Sequence, residues 1–231
     1  MILCGQQPNY LPWIGLFHKI ALADRFVIVD HVQYVRRTVV NRNEILGLNG
    51  ESVRLTVPVE RAPRDTAIAD VAIDDRIPWR RKHWRALEYN YRGAPHWRAH
   101  APFFEDLYAR EHGRLASLNV EIIRYLLDAF GLPAPVGCSG EARVEGTRTE
   151  LLVGLCRAYG CDTYLSGAGA RKYVDESVFR DAGLTHRFQA FEHPVYPQQA
   201  PGFVPNLSAV DLLFNVGPAA GDLIRATGGL A

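Results

Sequence analysis

The sequence predicts an α/β fold, a mostly parallel sheet core with an inserted helical cap and a β-hairpin, and three observations lead there. Ile2 to Gln6 is a short apolar run closed by a Gln-Gln-Pro-Asn turn signal, and Ile14, Phe17, Ile20 and Ala21 then recur at helical spacing. Arg25 to Asp30 follows with an unbroken apolar middle, the mark of a strand buried on both faces. An Asn49-Gly50 dipeptide sits between Ile45-Leu46 and the run Val53 to Val57, the signature of a hairpin.

Taken in order, the first strand, its loop, the helix and the second strand compose one βαβ unit with parallel strands. After the hairpin, Ile68 to Ile73 alternates and adds an edge strand. From Pro78 the chain turns helical, because a proline at an early helix position follows Asp74-Asp75 and leads into Trp79 to Glu88. A second helix is expected near Pro102 to Arg110, and a long one from Leu115 to Phe130 is closed by Gly131 and Pro133. Gly137 to Arg148, rich in glycine and charge, reads as a connector. Thr149 to Tyr159 is a helix capped by Gly160, and Asp162 to Ser166 is a strand running into Gly167-Ala168-Gly169. Asp175 to Ala182 reads as a helix, Leu184 to Phe191 as a strand, and the last helix starts at Ser208. The chain is read as one domain over 1–231, with the helical insertion at about 78–132.

Composition bounds the function classes. With 48% apolar and 22% charged residues in 231, disordered and fibrous classes are excluded. A net charge of +1 argues against an extended nucleic-acid surface. The apolar stretch Ile122 to Leu132 is too short to span a membrane and is broken by Arg124 and Asp128. Met1 leads directly into a strand with no basic leader, so a cytoplasmic location is expected. The four cysteines form no CxxC pair and read as reduced thiols. Histidines are scattered and no metal is expected; no GxSxG elbow marks a serine nucleophile.

Several blocks of the chain together resemble the WbqC-like family. They are Gln7-Pro8-Asn9-Tyr10-Leu11-Pro12-Trp13-Ile14-Gly15, Val32-Gln33-Tyr34 after Asp30, Asn41-Arg42-Asn43, Trp79 to His83, Ser166-Gly167 with Tyr173, His193 to Gln198, and Leu207 to Asn215. The resemblance implies a place in O-antigen or related surface-polysaccharide metabolism, and for one branch the transfer of glycine onto an amino sugar. It brings no mechanism, so the chemistry is read from the residues.

Four constellations could carry that chemistry. The loop with Gln7, Asn9, Tyr10 and Trp13 lies at the carboxyl end of the first strand, where open α/β sheets bind ligands, and leads into a helix N-terminus. Its layout, a proline-containing loop, a glycine on the opening helical turn and a strand ending in Asp, is similar to Rossmann-like and nucleotidyltransferase-like first turns. The histidines of the HIGH signature are absent, which leaves nucleotide binding and lowers the case for adenylyl transfer. Asp30, Gln33, Asn41, Arg42 and Asn43 emerge next and offer amides and a guanidinium for a carboxylate, a phosphate or sugar hydroxyls. On the basic helix, Lys82 and His83 are candidate catalytic groups. Towards the C-terminus stand Ser166, Tyr173, Tyr196 and Gln198, the pair Asp211 and Asn215 at i,i+4, and His193 as first choice for a general base.

Two readings follow. In the first, the chain is an aminoacyl or acyl transferase acting on a small molecule, a nucleotide-linked amino sugar or amino acid, with the activated carboxyl supplied by ATP, a thioester or an aminoacyl-tRNA. In the second, it is a nucleotide or nucleotide-sugar binding protein, or a nucleotidyltransferase-like enzyme of different reaction. What separates them is whether His193 and Lys82 converge on the Gln7 loop.

Overall fold

The computed structural model describes residues 1–134, 137–142 and 144–231. Eight strands and eight α-helices follow the order β1 (Ile2–Gln6), α1 (Ile14–Ala21), β2 (Arg25–Ile28), β3 (Arg42–Leu46), β4 (Ser52–Thr56), α2 (Trp79–Tyr91), α3 (Trp97–Ala109), α4 (Leu115–Ala129), β5 (Gly137–Cys138), α5 (Arg148–Ala158), β6 (Thr163–Ser166), α6 (Glu176–Asp181), β7 (Thr185–Ala190), α7 (Ala209–Val216), α8 (Ala220–Arg225) and β8 (Gly229–Leu230) among the described residues. The main sheet has six strands in the order β5-β2-β1-β6-β7-β8, and β3 and β4 form a separate two-stranded sheet. β5, β2, β1, β6 and β7 run parallel, whereas β8 closes the edge antiparallel to β7. This is the α/β architecture with a mostly parallel sheet that the apolar runs predict.

Alternation along the strands buries both faces of the sheet. Cys4, Phe26, Ile28 and Leu165 join one core with Phe17, Leu126 and Phe214, while Leu3, Val27, Val29 and Tyr164 join another with Leu151, Leu155 and Phe179. Helices therefore cover both sides, as a parallel sheet requires. α2, α3 and the hairpin share the first of these cores through Leu87, Phe104, Ile45 and Leu55, so the inserted segment packs directly on the sheet's own helices. Two tethers fasten the hairpin to α2: the Leu46 N–H donates to Tyr91 Oη at 2.9 Å and the Leu48 N–H to Asn90 Oδ1 at 3.1 Å. Gly50 stands at φ 81 in the turn, the left-handed geometry for which Asn-Gly is selected.

The winding direction places the crevice. From β1 the chain moves through α1 to β2 on one side, and from β6 through α6 to β7 on the other. β1 and β6 are adjacent, with Leu3 beside Tyr164, and between their carboxyl ends the order reverses. Crossovers leave in opposite directions there, the arrangement that opens a crevice in a parallel sheet.

Local readings needed correction in four places. Ile68 to Ile73 is a 3₁₀ turn over Ile68–Asp70 followed by the lone bridges Ala72–Arg114 and Val59–Ile73, because Ile68 and Val71 bury at a spacing of three, not two. The connector after residue 137 contains β5, whose Cys138 pairs with Ile28; Arg143 in that stretch lies outside the described residues. α3 begins at Trp97, well before Pro102, and carries that proline inside it. Past the helix begun by Ser208 come α8 and β8, too short to show a period.

Candidate functional site

A cavity of about 520 Å³ opens at the switch point between β1 and β6, within the size range of small-molecule sites. Its lining takes Gly5, Gln6 and Gln7 from the end of β1, Tyr164, Ser166 and Gly167 from the end of β6, Lys19 from α1 and Arg148 from the start of α5. Tyr173 stands at the mouth, more than half exposed. Gly5 is dictated by packing: a Cβ there would come within 2.7 Å of Tyr164 Oη and 3.0 Å of Val29 Cγ2.

Lys19 is the notable group. Its side chain runs back along α1 and donates to the Gly5 carbonyl at 3.1 Å and to Gln6 Oε1 at 2.7 Å. It is 5% exposed. No carboxylate partners it among the described residues, and burial pulls its pKa below the ordinary lysine value. A buried ammonium without a counterion is costly unless something else supplies the charge. Arg148, a second cation at the rim, is held at φ 50 although it is not glycine, a strained geometry of the kind that collects at functional sites.

Ser166 is buried beneath the cavity with its Oγ 2.9 Å from His186 Nε2. His186 Nδ1 is buried and has no partner, and burial lowers the pKa of the ring. The neutral tautomer that strands only a lone pair carries its proton on Nε2 and donates to Ser166. The serine hydroxyl hydrogen then has no acceptor among the described residues.

The residues singled out from sequence divide into groups. Gln7, Ser166 and Tyr173 line the crevice. Asn9, Tyr10, Asn41 and Asn43 instead build the loop behind it. Asn43 Nδ2 donates to the Leu11 carbonyl at 2.5 Å and Asn41 Nδ2 to the Val57 carbonyl at 3.1 Å, while Leu11 itself takes φ 43. Asn9 is buried with Oδ1 unpartnered, and Trp13 packs edge-on against Phe191. Tyr10 is fully buried and its hydroxyl meets His83 Nδ1 at 2.7 Å and Tyr108 Oη at 2.5 Å. His83 is thereby part of the core; burial pulls its pKa down to about 4, with a backbone hydrogen bond to Thr56 opposing. Lys82 is exposed on the far side of that cluster, beside the hairpin.

Asp30 Oδ1 accepts from the Gly140 N–H at 3.0 Å and from Ser139 Oγ at 3.3 Å, tying β2 to the turn after β5. Gln33 Nε2 donates to the Arg64 carbonyl at 2.5 Å, and Arg42 opens β3, half-buried, where it pairs with Thr56. The C-terminal set gathers around a fully buried carboxylate. Asp211 accepts from Tyr91 Oη at 2.8 Å, from Gln198 Nε2 at 2.9 Å and from Asn215 Nδ2 at 3.4 Å. Tyr196 also hydrogen-bonds it, and burial raises its pKa against those donors. His193 stands nearby with both nitrogens engaged, Nδ1 with the Pro194 carbonyl at 2.9 Å and Nε2 with the Asn206 N–H at 3.1 Å. The structure thus forms a crevice and two buried polar clusters, and His193 and Lys82 do not line the crevice.

Lys19, Arg148, Gln6 and Tyr164 are the crevice residues that sequence reading passed over. Lys19 left one signal, a lysine beside His18 in the otherwise apolar stretch Ile14–Ala21. Among the described residues no group of three or more His, Cys, Asp or Glu gathers as metal ligands, and no helix is long and apolar enough to cross a membrane.

Fold and crevice together define an α/β protein with a cavity at the switch point of its parallel sheet. Residues 7–223 match the WbqC-like protein family, and the chain belongs to it. It is 36% identical over 221 residues to the uncharacterized protein Rv1507c of Mycobacterium tuberculosis (strain ATCC 25618 / H37Rv), a match covering 95% of each chain. No solved structure matches it.

Proposed function

We propose that this protein is a transferase of surface-polysaccharide or related amino-sugar metabolism, holding a nucleotide-linked amino sugar in the crevice between β1 and β6. There its amine takes an aminoacyl group from a carboxyl activated by ATP, as a thioester or on tRNA, and the nucleotide or phosphate, thiol or tRNA leaves. The observation that carries the reading is the position of the cavity, at the carboxyl edge where strand order reverses, walled by the Gln7 loop on one side and Ser166-Gly167 on the other. Membership of the WbqC-like family supports the pathway. No step is assigned to His193, Lys82 or His83, whose side chains stand outside the crevice.

One observation favours a second reading, a nucleotide-sugar binding protein without group transfer: among the described residues the crevice lining contains no carboxylate and no imidazole to take the proton of an attacking amine. A thermal-shift screen with ATP, CTP and UDP- or dTDP-linked amino sugars tests what both share, and a shift with at least one is expected. Mass spectrometry of the amino sugar after incubation with glycine and ATP separates them. A mass gain of one glycyl residue supports transfer; binding without it leaves the second reading. Absence of any shift overturns both.

A further inference from the structure

We propose that Lys19 and Ser166 form the floor of a phosphate subsite in the crevice, with Arg148 at its mouth, and that the diphosphate of a nucleotide-linked ligand is held there. This deepens the reading above and rests on it for the identity of the ligand, although the subsite stands on its own geometry.

The argument is one of donors and acceptors. Lys19 has three N–H donors, and two are spent on neutral oxygens, Gly5 O and Gln6 Oε1. The third is free in a side chain that lines the cavity. Ser166 Oγ accepts a hydrogen bond from His186 in the tautomer that strands only a lone pair, which leaves the serine's own hydroxyl to donate to a ligand. Arg148 adds a guanidinium at the rim, and among the described residues no acidic side chain lines the cavity to oppose the two cations. A group that accepts from every side and carries more than one negative charge fits this set, which describes a phosphate or diphosphate better than a neutral sugar. Gln6 has a positioning role, since its Oε1 holds the ammonium at the cavity wall.

Burial sharpens the case. A buried ammonium with no carboxylate partner among the described residues carries a desolvation cost that two hydrogen bonds to neutral oxygens offset only in part. Keeping it there costs stability, and a bound anion offsets that cost.

Titration calorimetry with UDP, uridine and inorganic pyrophosphate, on the wild type and on Lys19→Met, Ser166→Ala and Arg148→Gln, tests the subsite. Lys19→Met is expected to weaken UDP about 10- to 100-fold, the usual loss for a charged hydrogen bond. Uridine should bind both proteins alike. If Lys19→Met fails to fold, Ser166→Ala and Arg148→Gln still report, each expected to weaken UDP several-fold and to leave uridine unchanged. UDP binding that is equal across all the variants overturns the subsite and leaves the proposed function in place. Pyrophosphate binding that depends on Lys19, with no nucleotide bound, keeps the subsite and overturns the nucleotide reading. Absence of UDP and of pyrophosphate binding by the wild type overturns the subsite together with its nucleotide ligand.

Discussion

At the scale of single residues, the buried polar side chains divide by whether their hydrogen-bonding capacity is used up. Tyr10, His83 and Tyr108 satisfy one another in the core, and each removal strands a partner. Tyr10→Phe deletes one oxygen and leaves His83 Nδ1 and Tyr108 Oη unpaired. A loss of about 1–3 kcal/mol in unfolding free energy, read from urea denaturation, is the expected result. An unchanged urea midpoint would show that water or a rearranged Tyr108 takes the place of the hydroxyl. Lys19 is the opposite case, with a donor left over and no carboxylate to meet it. The fully satisfied cluster is bound to stability, and the lysine with a donor left over is where the proposed phosphate subsite begins. Both are short of sequence signal, since a tyrosine or a lysine in an apolar stretch looks alike whether or not its partner lies in the fold.

At the scale of elements, the parallel pair β1 and β6 works as a unit because Gly5 lets Tyr164 lie against the strand. Gly5→Ala puts a methyl group within 2.7 Å of Tyr164 Oη, and Tyr164 is packed between Phe179 and His186. Overpacking of this kind costs about 1–3 kcal/mol. We expect Gly5→Ala to lower stability by that amount and to displace the cavity wall, so that any nucleotide-induced thermal shift shrinks. Adding Tyr164→Phe should recover part of the loss, and no recovery would place the strain against Val29 instead. Helix ends behave more locally. Gly160 at φ 62 closes α5, and the Cys161 N–H reaches back to the Cys156 carbonyl at 2.8 Å, a bond a glycine in the left-handed region permits. That helix end was legible from Gly160 alone, whereas the short strand β5 was not, because two residues carry no period.

At the scale of the whole molecule, buried titratable groups set how stability follows pH. His83 is pulled from 6.5 down to about 4 by burial. Its contribution is fully present above the unfolded value and is lost as pH falls through the window between the two, about 3 kcal/mol in all. His18, His100 and His186 are also lowered by burial and act in the same direction. Asp211 opposes them: its raised pKa makes the ionised carboxyl the costlier form, so its contribution is lost as pH rises through the folded value. Unfolding free energy from urea melts should therefore drop between about pH 7 and about pH 4.5, and His83→Phe should flatten that drop while lowering the pH 7 value. An equally steep drop in the variant would assign the acid limb to the other histidines.

Much of the architecture was legible in the chain, because strands, helix ends and the hairpin turn are specified by neighbours. The buried run Arg25 to Asp30, the turn at Asn49-Gly50 and the stop at Gly160 each depend on residues a few positions apart. The sequence also placed Gln7, Ser166 and Tyr173 among the candidates that the crevice gathers, since each follows the carboxyl end of a strand or the turn beyond it. It could not tell a crevice residue from a core residue of the same type. His83 looks like a catalytic group in the chain and Asp211 like a binding one, and both sit in buried clusters in the fold; Lys19 looks like an ordinary helical lysine and lines the cavity. Strand order decides the difference. β1 meets β6 across more than 150 residues, and only that pairing brings Lys19, Arg148 and Ser166 together, because side-chain reach is short and the contacts that make a cleft are made between segments the chain keeps far apart.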